Sequence, residues 1–197
     1  MTRYAVDLDG VVFDANAAML RAVNERFGTR YELAHMRAYD WYAWCAAEHA
    51  RHALDAFRRL VPHMAWLPSA PEGLRRLAGA GEVSILTHRT PDLAPATAAA
   101  LAGLPCRAIH HVDWAEAKAG LALRLGCAVA LEDSPTQALA YAEAGLRVYL
   151  FDYPYNADLR HPRIRRVAGW PEVLRAEGLD ALDGHAGAQV KTGRAGA

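Results

Sequence analysis

Short apolar runs separated by helix-length segments constrain this chain more than any other feature. Tyr4-Ala5-Val6-Asp7, Val83-Ser84-Ile85-Leu86-Thr87, Ala128-Val129-Ala130-Leu131 and Arg147 to Phe151 read as strands. Residues 107–110 add a short candidate strand. The segments between them are helical in pattern. Met19, Val23 and Phe27 recur every four residues and stop at Gly28. Ser69-Ala70-Pro71-Glu72 has the form of a capping box, opening a helix that Gly81 ends. Pro91 opens a helix over 92–102, residues 115–125 form one stopped by Gly126, Ser134-Pro135 caps one ending at Gly145, and 171–175 supply a last turn or two. Strands apolar on both faces and joined through helices make a parallel sheet covered on two sides. The chain is therefore α/β, and in such sheets a ligand sits beyond the carboxyl ends of the strands.

Between Glu32 and Leu60 the helical pattern is broken and rich in aromatics, with Tyr39, Trp41, Tyr42 and Trp44 close together. Pro62 and Pro68 punctuate its exit. Residues 15–67 thus read as a small helical insertion, or cap, in a core formed by 1–14 and 68–177. From residue 178 to 197 the chain is rich in Gly and Ala and reads as a loose tail.

Composition narrows the function. Lys and Arg number 22, as do Asp and Glu, so the basic excess of a nucleic-acid or membrane-surface binder is missing. The three cysteines are odd in number and widely spaced, which fits a reducing compartment rather than a disulfide framework. The N-terminus carries no apolar export segment, and no apolar run is long enough to span a bilayer. A cytoplasmic protein acting on a small molecule is expected, as a monomer or a homodimer.

Chemistry concentrates at the strand ends. Asp7 and Asp9 stand two apart in an extended segment, so their side chains leave on one side, and Gly10 then turns the backbone away. Thr87 ends the second strand, and Glu132-Asp133 the third. Asp7, Asp9, Asp133 and Glu132 are hard oxygen donors of the kind that takes magnesium, which usually shares its shell with a substrate phosphate. Lys118, in the first turn of a helix, is misplaced for the helix dipole unless it faces those acids. Together these residues suggest phosphoryl transfer, with Asp7 as nucleophile and Asp9 as the acid/base. For that role Asp9 must hold a proton above its free pKa of ~3.9, as neighbouring acids would make it do. Thr87, Lys118, Gly10, His88 and Arg89 fall on the phosphate and substrate side. At least one of His88 and Arg89 is expected to touch substrate and the other to be solvated.

Asp7-Leu8-Asp9-Gly10-Val11, Ile85-Leu86-Thr87, Lys118 and Leu131-Glu132-Asp133 resemble, in order, the four motifs of the haloacid dehalogenase superfamily. The second Asp marks its phosphatase-type branch. The resemblance implies a Rossmann-like sheet, bound magnesium, Asp7 as nucleophile, Asp9 as acid/base, phosphate held by Thr87 and Lys118, and metal held by Asp133. The short cap and Leu150-Phe151-Asp152-Tyr153-Pro154-Tyr155-Asn156 look like the 5′(3′)-deoxyribonucleotidase family, whose cap aromatics hold the base. That comparison makes Trp41 and Trp44 candidates for substrate contact. Glu132-Asp133-Ser134 looks instead like the β-phosphoglucomutase-like sugar phosphatases and mutases, the alternative substrate class. Glu132 has three readings: direct metal ligand, ligand through water, or a support that orients Lys118. An alternative of another class is a retired member that only binds phosphate or a partner. A nucleophile and an acid/base retained together speak against it.

Overall fold

The structure, a computed structural model, describes residues 1–114 and 117–180. Strands β1 (Thr2–Val6), β2 (Gly81–Thr87), β3 (Ala108–His111), β4 (Val129–Glu132), β5 (Arg147–Phe151) and β6 (Ile164–Val167) form a parallel sheet in the order β3-β2-β1-β4-β5-β6. Helices α1 (Ala15–Phe27), α2 (Ala47–Leu60), α3 (Ala70–Ala80), α4 (Ala94–Ala100), α5 (Lys118–Arg124), α6 (Pro135–Glu143) and α7 (Trp170–Ala176) accompany it, with short 3₁₀ turns between. The strand order reverses between β1 and β4, so the crevice a ligand would use opens beyond their carboxyl ends.

The continuous apolar character of the strands has a direct cause. Tyr4, Val6, Ile85, Leu131 and Phe151 point into one core layer, and Ala5, Leu86, Ala130 and Leu150 point into the other. Strands β1, β2, β4 and β5 are buried on both faces, which removes the alternation a half-exposed strand would show.

Four expectations need correction. β6 is absent from the sequence reading because Ile164-Arg165-Arg166-Val167 is half arginine. It lies at the sheet edge, where charge is tolerated, and Arg166 is tied to Asp152 and Asn156. The Ser69 capping box does not form: Ser69 is left-handed, with φ 65°, and no capping bond comes from its side chain. A capping hydroxyl reaches the first helical amides from an extended backbone, not from this one. Glu72 pairs instead with Arg76 at 2.8 Å. The helix expected over 92–102 begins as a 3₁₀ turn, Pro91–Leu93, and becomes α-helical only over Ala94–Ala100, with Pro95 in its first turn. The tail expected from Gly178 is held against the core as far as Asp180, since Leu179 packs on it and Arg76 Nη1 donates to the Leu179 carbonyl at 3.0 Å. Residues 115–116 of the expected fifth helix and 181–197 of the tail lie outside the described residues.

The chain leaves the core at Phe13-Asp14 and returns at Ala65 to Leu67. Asp14 N donates to Ala65 O at 2.8 Å and Leu67 N to Val12 O at 2.9 Å, while Phe13 and Trp66 pair as a bridge with rings 4.5 Å apart. Between these crossing points α1 and α2 pack side by side. The His49 ring on α2 packs against Phe27 of α1 at 4.3 Å and meets the Tyr31 hydroxyl at 3.0 Å, which ties the two helices together.

At the opposite end Trp170 is fully buried and its indole N–H donates to the Val11 carbonyl at 2.7 Å. This ties α7 to the loop that follows Asp9. Gly73 on α3 sits against the same ring, where a Cβ would overlap the indole. Gly73→Ala is expected to destabilise the fold by about 1–3 kcal/mol through overpacking, measured as a lower urea midpoint.

No helix among the described residues is long and apolar enough to cross a membrane. Cys45, Cys106 and Cys127 are free.

Candidate functional site

Asp7 follows β1, its amide donating to the Leu131 carbonyl of β4 at 3.0 Å. Both Asp7 and Asp133 are thereby set at the reversal of strand order. Lys118, the first residue of α5, is fully buried and places Nζ 2.6 Å from Asp7 Oδ1 and 3.0 Å from Glu132 Oε2. Burial alone would pull this lysine down, but Asp7 and Glu132 outweigh it and hold its pKa well above the ordinary value.

One ammonium does not balance the acids around it. Asp7, Glu132 and Asp133 are all buried, and each offers an oxygen within 4.8 Å of the others. Burial, opposed by Lys118 but reinforced by Glu132 and Asp9, raises Asp7 to about 7. Burial, then Glu132 and Asp7, drive Asp133 well above the usual carboxylate range. Asp133 Oδ2 accepts a hydrogen bond from the Tyr155 hydroxyl, whereas its Oδ1 is buried with no partner among the described residues. Surplus negative charge, hard oxygen donors and an orphaned acceptor fit a divalent cation.

The residues anticipated as metal ligands separate here. Glu132 Oε1 accepts from the amides of Asp133 at 3.1 Å and Ser134 at 3.0 Å, and Oε2 takes Lys118. Of its three readings, the support for Lys118 is the one this bonding favours. Asp9 stands outside the acid cluster as a ligand. Its two oxygens are clasped by Arg89, Nη2 at 2.6 Å and Nε at 2.8 Å. Both oxygens of Asp9 therefore face a guanidinium.

One of His88 and Arg89 was expected to be solvated, but both are buried. Arg89 turns inward. Its guanidinium lies over the Phe13 ring at 4.9 Å, and Nη1 donates to the Thr97 hydroxyl at 3.3 Å. Its hydrogen bonds serve Asp9 and the core. Thr87 is buried at the end of β2, where its hydroxyl oxygen accepts from the Arg89 amide at 3.2 Å, leaving the O–H proton to give to a ligand. Gly10 has φ 85°, and a Cβ there would overlap the Asp133 carboxylate. Its amide donates to Phe13 O at 2.9 Å and its carbonyl accepts from the Tyr153 hydroxyl at 3.0 Å. Gly10 thus makes room for Asp133 rather than offering an amide to phosphate.

A cavity of about 280 Å³ opens above these groups, room for a small molecule. Asp7, Asp9, Thr87, Lys118 and Asp133 line it, together with the apolar Met19, Met36, Trp41, Leu54, Phe57 and Trp114. Of the two cap tryptophans anticipated at the substrate, Trp41 lines the cavity. Trp44 does not: it packs against Trp41 at 4.8 Å and against Tyr31 at 5.5 Å, on the far side. Tyr39 leans edge-on over Tyr155 at 5.4 Å, and burial with the Asp133 and Asp7 charges raises its hydroxyl pKa well above the ordinary value.

Asn16, Trp114, Tyr155 and Asn156 were not anticipated as site residues. Asn16 donates to the Tyr155 hydroxyl at 3.1 Å, and Asn156 braces the Asp133 and Phe151 carbonyls, each at 2.8 Å. For Tyr155 and Asn156 a signal existed, because Tyr153-Pro154-Tyr155-Asn156 follows the carboxyl end of β5. Asn16 and Trp114 carry none that separates them from ordinary helix and loop residues.

Comparison with known proteins agrees with this geometry. A family model described as 5′ nucleotidase, deoxy (pyrimidine), cytosolic type C protein matches residues 2–179. Among solved structures, a haloacid dehalogenase family hydrolase from Deinococcus radiodurans with bound phosphate and sodium is 17% identical, with TM-score 0.65, over 90% of this chain and 95% of that one. A haloacid dehalogenase-like hydrolase from Streptococcus pneumoniae is 16% identical, with TM-score 0.63, over 90% and 98%. CbbY from Rhodobacter sphaeroides in complex with phosphate is 19% identical, with TM-score 0.57, over 88% and 96%. At these identities the likeness is one of fold. No curated protein matches significantly. A match that runs from the first strand through the last helix places this chain in the deoxy (pyrimidine) cytosolic type C 5′-nucleotidase family, and so among the haloacid dehalogenase-type phosphatases.

Proposed function

We propose that the chain is a magnesium-dependent phosphomonoesterase acting on a nucleotide through an aspartyl-phosphate. The observation that carries this reading is the mixed lining of the cavity: buried acids, Lys118 and Thr87, together with Trp41, Phe57, Met19 and Trp114. A phosphate suits the first group and a planar base the second. Phosphate in two structures of the same fold is consistent with the first half of that statement.

In the first step an Asp7 carboxylate oxygen attacks phosphorus and the ester P–O bond breaks. The leaving alkoxide takes a proton from Asp9. In the second step water attacks the phosphorus of the aspartyl-phosphate, Asp9 accepts its proton, and inorganic phosphate departs with Asp7 restored. Arg89 holds both oxygens of Asp9, so one of them would have to leave that pair to carry the proton of each transfer. Lys118 and Thr87 donate toward phosphate oxygens, and Glu132 keeps Lys118 in place. Asp7 and Asp133 would hold magnesium, which when bound supplies neutralisation of phosphoryl charge. Residues 15–67 act as the cap that chooses the leaving group. A cytoplasmic setting accords with three free cysteines.

A generic aryl phosphate with magnesium, with and without EDTA, is the direct test. Turnover that EDTA abolishes is expected. No turnover, or turnover indifferent to the chelator, overturns the reading. A panel of deoxynucleotides, ribonucleotides and sugar phosphates then tests the leaving group, and a panel in which only sugar phosphates react would reassign it.

A further inference from the structure

We propose that the imidazole of His88 is a specificity element, whose Nε2 accepts a hydrogen bond from a hydroxyl on the carbon skeleton of the substrate. The inference rests on the phosphomonoesterase reading and adds a contact that reading does not use.

His88 follows Thr87 at the carboxyl end of β2 and lines the cavity with its ring buried. Nδ1 lies 3.1 Å from the Val112 carbonyl oxygen. A carbonyl has no proton to give, so Nδ1 carries the hydrogen of that bond. In an imidazole with one proton the other nitrogen is then an acceptor. Burial, and after it the Lys118 ammonium, lower the pKa of this histidine and favour the singly protonated ring. Nε2 is buried and has no partner among the described residues.

The ring is not placed to search for one. Trp114 stacks on it at 4.4 Å with planes 15° apart, and the Val112 bond fixes its rotation. A buried acceptor held without a donor is costly to the folded protein, and the site regains that cost only when a ligand brings the donor. Lys118 does not bring it: two of its three protons go to Asp7 and Glu132, and the third is the one that the proposed reaction gives to phosphate. A phosphate oxygen is itself an acceptor and would face Nε2 unfavourably. The donors nearest the ester on a sugar phosphate are its hydroxyls, which in a nucleoside 5′-monophosphate are the 2′ and 3′ groups.

The test compares kcat/KM for a nucleoside 5′-monophosphate, its 2′-deoxy and 3′-deoxy counterparts, and phenyl phosphate, in the wild type, His88→Phe and His88→Gln. The wild type is expected to disfavour one deoxy counterpart by roughly tenfold, the worth of one hydrogen bond. His88→Phe should bring that ratio close to one, and His88→Gln, whose side-chain oxygen can stand near Nε2, should keep part of it. Wild-type indifference to both hydroxyls overturns the proposal. So does an equal loss on all four substrates in His88→Phe, which would make the ring a phosphate contact or a support. If the wild type turns over none of the four, phenyl phosphate included, the phosphomonoesterase reading itself fails. His88 is then decided by nitrogen-15 NMR of the free wild-type protein at neutral pH, where a proton on Nδ1 and none on Nε2 is expected. A proton on Nε2 overturns the acceptor role.

Discussion

Asp7→Asn is expected to reduce turnover by roughly four orders of magnitude or more. The amide is nearly isosteric and keeps an oxygen for Lys118 to bond, yet it is uncharged and a poor nucleophile toward phosphorus. The same change separates loss of chemistry from loss of fold. Asp7 stands near 7 in the metal-free fold against an ordinary 3.8, so the folded state binds the proton more tightly than the unfolded one. The stability this group contributes is present below its unfolded value and is lost as pH rises through its folded value. Metal-free wild-type protein should therefore lose thermal stability between about pH 4 and pH 7, and Asp7→Asn should lose less across that range. Melting curves at pH 5 and pH 8 in EDTA read this directly. An Asn variant that melts like the wild type at pH 5, better at pH 8, and turns over nothing is the expected result. Activity that survives the substitution would sink the covalent mechanism.

Lys118→Met is expected to cost about 3–5 kcal/mol at pH 8, because it strands Asp7 and Glu132 as buried carboxylates without their cation. The methionine fills much of the space, so the loss is electrostatic rather than a cavity effect. Its sign with pH follows. Without the ammonium, which opposes the rise at Asp7, that carboxylate binds its proton more tightly in the fold, so the variant gains stability relative to wild type as pH falls. Chemical denaturation at pH 5 and pH 8 should show a smaller deficit at the lower pH. An equal deficit at both would mean that packing, not charge, is what Lys118 supplies. Turnover should fall as well, since the lysine faces the position proposed for the phosphoryl group.

Much of the fold was legible because the central strands are buried on both faces. Val83 to Thr87 and Ala128 to Leu131 have no polar face to confuse with a surface strand or an amphipathic helix. Gly28 and Gly126 mark helix ends by adopting the left-handed conformation that glycine allows cheaply. Local signals failed where tertiary context outweighed them. Ser69 has the residues of a capping box but a left-handed backbone set by the chain's return at Leu67, whose carbonyl takes the Ala70 amide at 3.0 Å. β6 reads as polar because an edge strand need not be apolar.

Residue types and their place at strand ends determined the acids, the threonine and the lysine. Spacing along one chain suffices for that, because a parallel sheet brings every carboxyl strand end to one side. Only the tertiary structure decided how these groups pair. Asp9 belongs to Arg89, Glu132 to Lys118 and two amides, and Asp133 to Tyr155. Gly10 is needed for the space its missing Cβ leaves to Asp133, and of two neighbouring tryptophans one lines the cavity and the other backs it. A charge's partner depends on distances between segments far apart in sequence, and no periodicity or motif carries those distances.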